Sequence, residues 1–223
     1  MTEAEWRASN DPVAMLWLLD RFQPSERKLR LFACTCCRAV WPLLTDERSR
    51  RAVEVAELYA EGHVGEGERS AGQDEAAAAA LGATPTPAKP ANPFDIWYAA
   101  EMAKIAAADR IGGERAAAVA SKARDIERLV GGNRDGSGQR SDVLRCLFAS
   151  PFRPTATDAS WLTPTVLSIA QGIYTDQAFD RLPILADALQ DAGCEDAELL
   201  NHYRSGGPHV RGCWAVDLVL GKE

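Results

Sequence analysis

Two alanine-rich tracts, residues 76–80 and a longer stretch over 95–130, constrain this chain more than any other feature of it. Alanine has the highest helix propensity of any residue and very little side chain to bury, so such tracts form helices that pack closely and anchor weakly. Between them lies the proline-rich segment 84–90, Thr84-Pro85-Thr86-Pro87-Ala88-Lys89-Pro90, which reads as a linker. Gly112-Gly113 is placed to break the longer tract, and the glycine-rich residues 131–138 read as a loop. The expectation is an alanine-rich helical hairpin or arm over 64–140 that projects from the rest of the protein.

The flanking regions are punctuated by helix signals. Thr2 and Glu5 match a capping box, Asn10-Asp11-Pro12 opens a second helix, Ser25 caps a third and Thr45 starts a fourth, with Glu47 and Arg51 spaced to pair. Downstream, Ser141, Thr163-Pro164, Pro183 and Cys194-Glu195-Asp196 each precede an apolar run of helical period. In the last stretch, Gly206-Gly207-Pro208 predicts a helix from about His209, with Cys213, Val216, Asp217 and Leu220 on one face. Asp217 then falls among buried positions and calls for an Arg, a cluster of backbone amides or a ligand, an internal Arg pair being the plain structural reading. No alternating strand pattern of useful length occurs, so the predicted class is all-α: a multi-helix bundle with the alanine-rich arm inserted in its middle.

Several function classes are disfavoured at this level. A 46% hydrophobic content excludes wholesale disorder, and no apolar run reaches the roughly 20 residues that span a bilayer, so no membrane partner is expected. Residues 1–6 lack the basic and apolar regions of an export signal, and the expected location is cytoplasmic. Six cysteines in that setting read as reduced, packed thiols. A net charge of −7 argues against generic nucleic-acid binding. The charge is uneven, however: residues 21–51 hold eight Lys or Arg against three acids. Within that segment Arg27, Lys28 and Arg30 crowd a helix start, where the peptide dipole disfavours cations. Together with Arg38, and with Arg211 near the final helix, they are the candidate anion or nucleic-acid residues, although neutralisation by the protein's own acids is the preferred reading of the cluster.

Metal and thiol chemistry have two possible seats. Cys34 and Cys37 have Cys-x-x-Cys spacing inside a helix, without a glycine-rich knuckle, and Cys194, His202, His209 and Cys213 form a series with irregular gaps of seven, six and three. Cys213 also stands four residues after His209, the spacing a thiol nucleophile and its base would share on a helix, although no third orienting group accompanies them. Neither set has the regularity of a zinc motif. No metal ligand, cofactor or catalytic residue is assigned, and phosphate-loop, dinucleotide and hydrolase motifs are missing from the sequence.

Four segments carry a resemblance: the opening Thr2-Glu3-Ala4-Glu5-Trp6, the run Arg27-Lys28-Leu29-Arg30-Leu31-Phe32-Ala33-Cys34-Thr35-Cys36-Cys37-Arg38, the Asp180-to-Leu189 helix and the tail His209-Val210-Arg211-Gly212-Cys213-Trp214. They resemble an uncharacterised family of planctomycete-type bacterial proteins, at both ends of the chain and not in the alanine-rich middle. That family brings no established activity, so the resemblance implies a common core, 1–63 plus 141–223, folding together around the arm. The functional expectation is a non-enzymatic helical interaction or adaptor module whose partner is another protein, docked by the alanine-rich arm or by exposed Trp and Phe residues near the proline breaks. Anion or nucleic-acid binding through the basic segment is the alternative, and a zinc- or thiol-dependent role the weaker one.

Overall fold

The computed structural model describes residues 1–82, 93–131, 136–153 and 156–222. The proline-rich linker 84–90 and the centre of the glycine-rich loop, 132–135, lie outside the described residues. Among the described residues there are twelve α-helices and no strand, and no helix is long and apolar enough to cross a membrane. The all-α class is therefore as the sequence predicts.

The helices are α1 (Glu3–Ala8), α2 (Pro12–Leu19), α3 (Glu26–Ala39), α4 (Glu47–Ala60), α5 (Glu66–Gly82), α6 (Pro93–Ala106), α7 (Gly113–Gly131), α8 (Ser137–Leu147), α9 (Pro164–Asp176), α10 (Leu182–Asp191), α11 (Ala197–Arg204) and α12 (Trp214–Leu220). Their starts follow local chemistry. Thr2 and Glu5 form the reciprocal capping box, Asp11 accepts from the amides of Val13 and Ala14 ahead of Pro12, and Thr163 accepts from Val166 ahead of Pro164. Three starts differ from expectation. The cap of α4 is Asp46 rather than Thr45, α8 begins at Ser137 rather than near Ser141, and α12 begins only at Trp214. Along α4 the ion pair is Glu47 with Arg50, three apart, rather than Glu47 with Arg51.

The chain divides into two compact units, Met1–Ser141 and Asp142–Glu223. The alanine-rich helices thus belong with the N-terminal ones, and they do not project: α5 packs on α4, α6 on α3, α4 and α5, and α7 on α2, α3 and α6. Small side chains let the axes approach closely, and a Cβ added at Gly72 in α5 would already touch Val55 of α4 at 3.5 Å. The anchoring that alanine lacks comes from buried cations. Arg30 of α3, 1% exposed, donates to the carbonyls of Ala106 (2.8 Å), Ala108 (2.7 Å) and Asp109 (3.3 Å), and Arg69 of α5 donates to that of Ala107. The end of α6 leaves these carbonyls without intrahelical partners, so the two guanidinium groups cap it. The Tyr59 ring lies 5.0 Å from the guanidinium of Arg30 and 5.7 Å from that of Arg69.

The Gly112-Gly113 break is real and tightly used. The Gly113 amide donates to Asp20 at 3.2 Å, and an added Cβ would stand 2.9 Å from the same carboxylate oxygen and 3.1 Å from the Leu16 carbonyl. Gly113→Ala is expected to destabilise the first unit by about 1–3 kcal/mol, as overpacking does. Urea unfolding checks this, and an unchanged midpoint would contradict it.

The second unit gathers α9 to α12 around a core that includes Val166, Ile173, Leu185, Leu189, Leu199, Tyr203, Trp214 and Val216. Within it, α10 packs on α9 and α11, and α12 on α9 and α11. Asp217 is buried on α12, as its position in the sequence predicts.

Candidate metal centre

Three separate pieces of the second unit bring donor side chains to one point. The last turn of α8 turns Cys146 inward. On α11, Asp196 caps the start by accepting from Glu198 and Leu199, which sets Leu199, Leu200 and Tyr203 into the core and leaves His202 on the flank. Beyond α11 the backbone becomes extended at Ser205, whose hydroxyl donates to the His202 carbonyl at 2.8 Å. The chain returns through His209 into a turn in which the Cys213 amide donates to the Val210 carbonyl at 3.0 Å. Gly212 occupies that turn at φ 85°, a conformation that side-chain-bearing residues rarely adopt, and Cys213 is then the N-cap of α12. His209 and Cys213 therefore bracket a glycine turn instead of sharing a helical face.

The ligand atoms of Cys146, His202, His209 and Cys213 all lie within 4.8 Å of one another. His202 Nε2 is 3.2 Å from Cys213 Sγ, and His209 Nδ1 is 3.9 Å from Cys146 Sγ. Bonds of about 2.0–2.3 Å from a tetrahedral zinc ion would set donor pairs roughly 3.3–3.8 Å apart. The cluster needs only small adjustments to reach that geometry. No family model, curated protein or solved structure matches this chain.

The surroundings orient the donors. His209 Nε2 donates to the Ser205 carbonyl at 3.1 Å, which leaves the Nδ1 lone pair facing the cluster; a backbone partner on the far nitrogen is the usual companion of a metal-binding imidazole. The His202 ring meets His209 edge-on at 5.0 Å and Trp214 at 5.0 Å, which restricts its rotation. Burial alone would raise the Cys213 thiol, but hydrogen bonding with Cys146, His202 and His209 outweighs it and holds Cys213 well below the usual thiol range. Burial lowers His209, and its bonds to Cys213 and the Ser205 carbonyl more than restore it, leaving it above the ordinary imidazole value.

Sequence reasoning assigned no metal ligand, and of its nearest grouping the structure brings together His202, His209 and Cys213 but not Cys194. The fourth donor is Cys146, not Cys194, which is buried in the core with its thiol pushed up chiefly by desolvation. Cys34 and Cys37 are likewise buried in α3, and burial raises both thiols. The candidate anion residues on α3 are engaged within the protein. Arg27 pairs with Glu61 at 2.9 Å, Arg30 caps α6, Arg38 forms a two-pronged pair with Glu57, and Lys28 is half-buried on the same helix. Arg211, in the second unit, lies in the glycine turn with its guanidinium 6.0 Å from the centre of the Tyr174 ring.

Proposed function

We propose that the second unit is a structural zinc module, built on Cys146, His202, His209 and Cys213, within a non-enzymatic helical protein. One observation carries this reading: two thiols and two imidazoles from three separate segments converge within 4.8 Å. Thiolate and imidazole donors favour zinc over the hard cations magnesium and calcium, which take oxygen ligands. Four protein ligands fill a tetrahedral zinc shell and leave no open position for water or substrate, the mark of a structural centre. Metal analysis of the reduced, purified chain is expected to give one zinc per chain, and cobalt substitution to give the intense visible bands of a tetrahedral thiolate site. A chain that retains no zinc and takes up no cobalt would refute the reading.

The wider role proposed for the chain is docking to another protein. The supporting observation lies in the first unit, where Trp17 and Phe22 are 53% and 52% exposed between Pro12 and Pro24. Aromatic residues are enriched at protein–protein interfaces relative to the rest of the surface. The double variant Trp17→Ser, Phe22→Ser is expected to keep the wild-type melting temperature while losing the partners that the wild-type chain retains from its native source. Undiminished retention would remove this role.

A further inference from the structure

Resting on the zinc reading, we infer that the ion acts as a clasp: its occupancy decides whether residues 205–222 are closed onto the second unit, while α9, α10 and most of α11 hold without it. The ligands are distributed unevenly along the chain. Cys146 comes from the first helix of the unit, and the other three come from its final stretch, with α9 and α10 between them. Coordination therefore ties the end of the unit back to its beginning and closes a long loop.

The segment it ties down has little else to hold it. From Ser205 to Cys213 the only buried side chain is that of Cys213 itself, and Gly206, Gly207 and Gly212 give the backbone much freedom to lose on ordering. The following helix α12 spans Trp214–Leu220, too short to persist alone in water. Its positive anchors are the Trp214, Val216 and Val219 contacts and a hydrogen bond from the Tyr203 hydroxyl to the Ala215 carbonyl. Preceding elements are better provided. The α9 and α10 helices bury Val166, Ala170, Ile173, Leu182, Leu185, Ala186 and Leu189, and α11 has the Asp196 cap and buries Leu199 and Leu200. Without the ion, side-chain contacts at 3.2 and 3.9 Å replace metal bonds and are far weaker.

Hydrogen exchange on the full reduced chain, zinc-loaded and after chelation, tests the clasp, with zinc stoichiometry measured on the same samples. The Asp217 amide, which donates to the Cys213 carbonyl, and its neighbours in α12 should exchange roughly a hundredfold faster once zinc is removed, the factor expected when the metal stands at about 100 times its Kd. Amides of α9 and α10 should be unchanged, and Cys146→Ser should reproduce the chelated pattern. If zinc binds in a one-to-one ratio but α12 protection is unaltered on its removal, the clasp is refuted and the zinc centre stands. The same holds if α9 and α10 lose protection together with α12. If no zinc is taken up, the proposed function falls, and the clasp with it.

Discussion

Cys213→Ser is expected to abolish stoichiometric zinc binding and to lower the melting temperature of the second unit, whereas Cys194→Ser should leave the zinc content at one per chain. Both cysteines are buried, both belong to the same core, and they differ in what surrounds sulfur. Cys213 Sγ stands among Cys146, His202 and His209, while Cys194 follows α10 outside the cluster. A serine hydroxyl does not ionise in this range and is a harder donor than thiolate, so the substitution removes a metal bond and not merely packing volume. The affinity loss should exceed the roughly 10–100-fold cost of disturbing only the groups that orient ligands. Because thiols and imidazoles must give up their protons to bind, zinc affinity in the wild type should also fall on acidification, and uptake should release protons. Competition with a chromophoric chelator across pH measures both effects. Equal zinc content in the two serine variants would place the metal elsewhere or nowhere.

Why the candidate centre was hidden in the sequence follows from the same pair of cysteines. A short linear spacing reveals a metal site when one turn supplies several ligands, and here only His209 and Cys213 share a turn. Cys146 reaches the site from a helix separated from the others by α9 and α10, so its participation is a tertiary fact, and Cys194 lay closer in sequence as a decoy. Gly212 was the one local signal: a glycine between a His and a Cys suits the positive φ of a knuckle, but the Gly206-Gly207-Pro208 start signal upstream pointed to a helix across the same residues. Caps fared better because they are local. Thr2, Asp11, Thr163 and Asp196 each satisfy amides within three residues, so sequence and structure agree there. The projecting arm failed for a physical reason visible only in three dimensions. Alanine helices bury little area each, but arginines on α3 and α5 reach the buried end of α6 from elements distant in sequence.

That interaction makes Arg30→Ala a strongly destabilising substitution in the first unit. The side chain is 1% exposed, and its donors serve three main-chain carbonyls near the end of α6, with Glu26 completing the set. Glu26 is itself 44% exposed, so solvent screens the ion pair, and the carbonyl contacts dominate. Truncation leaves those acceptors buried without a donor beside a cavity, a loss of about 3–5 kcal/mol for a broken buried charge network. For a unit of this size that corresponds to a fall of about 10 °C in melting temperature. Arg38→Ala provides the contrast on the same helix. Its side chain is 41% exposed and pairs with Glu57 at the surface, where such a pair contributes about 1 kcal/mol or less. Arg30→Lys should recover only part of the loss, since an ammonium has no planar fork to span carbonyls one turn apart. If Arg30→Ala cost no more than Arg38→Ala in thermal unfolding, the alanine-rich helices would have to be held by close packing alone, and the guanidinium cap on α6 would be incidental.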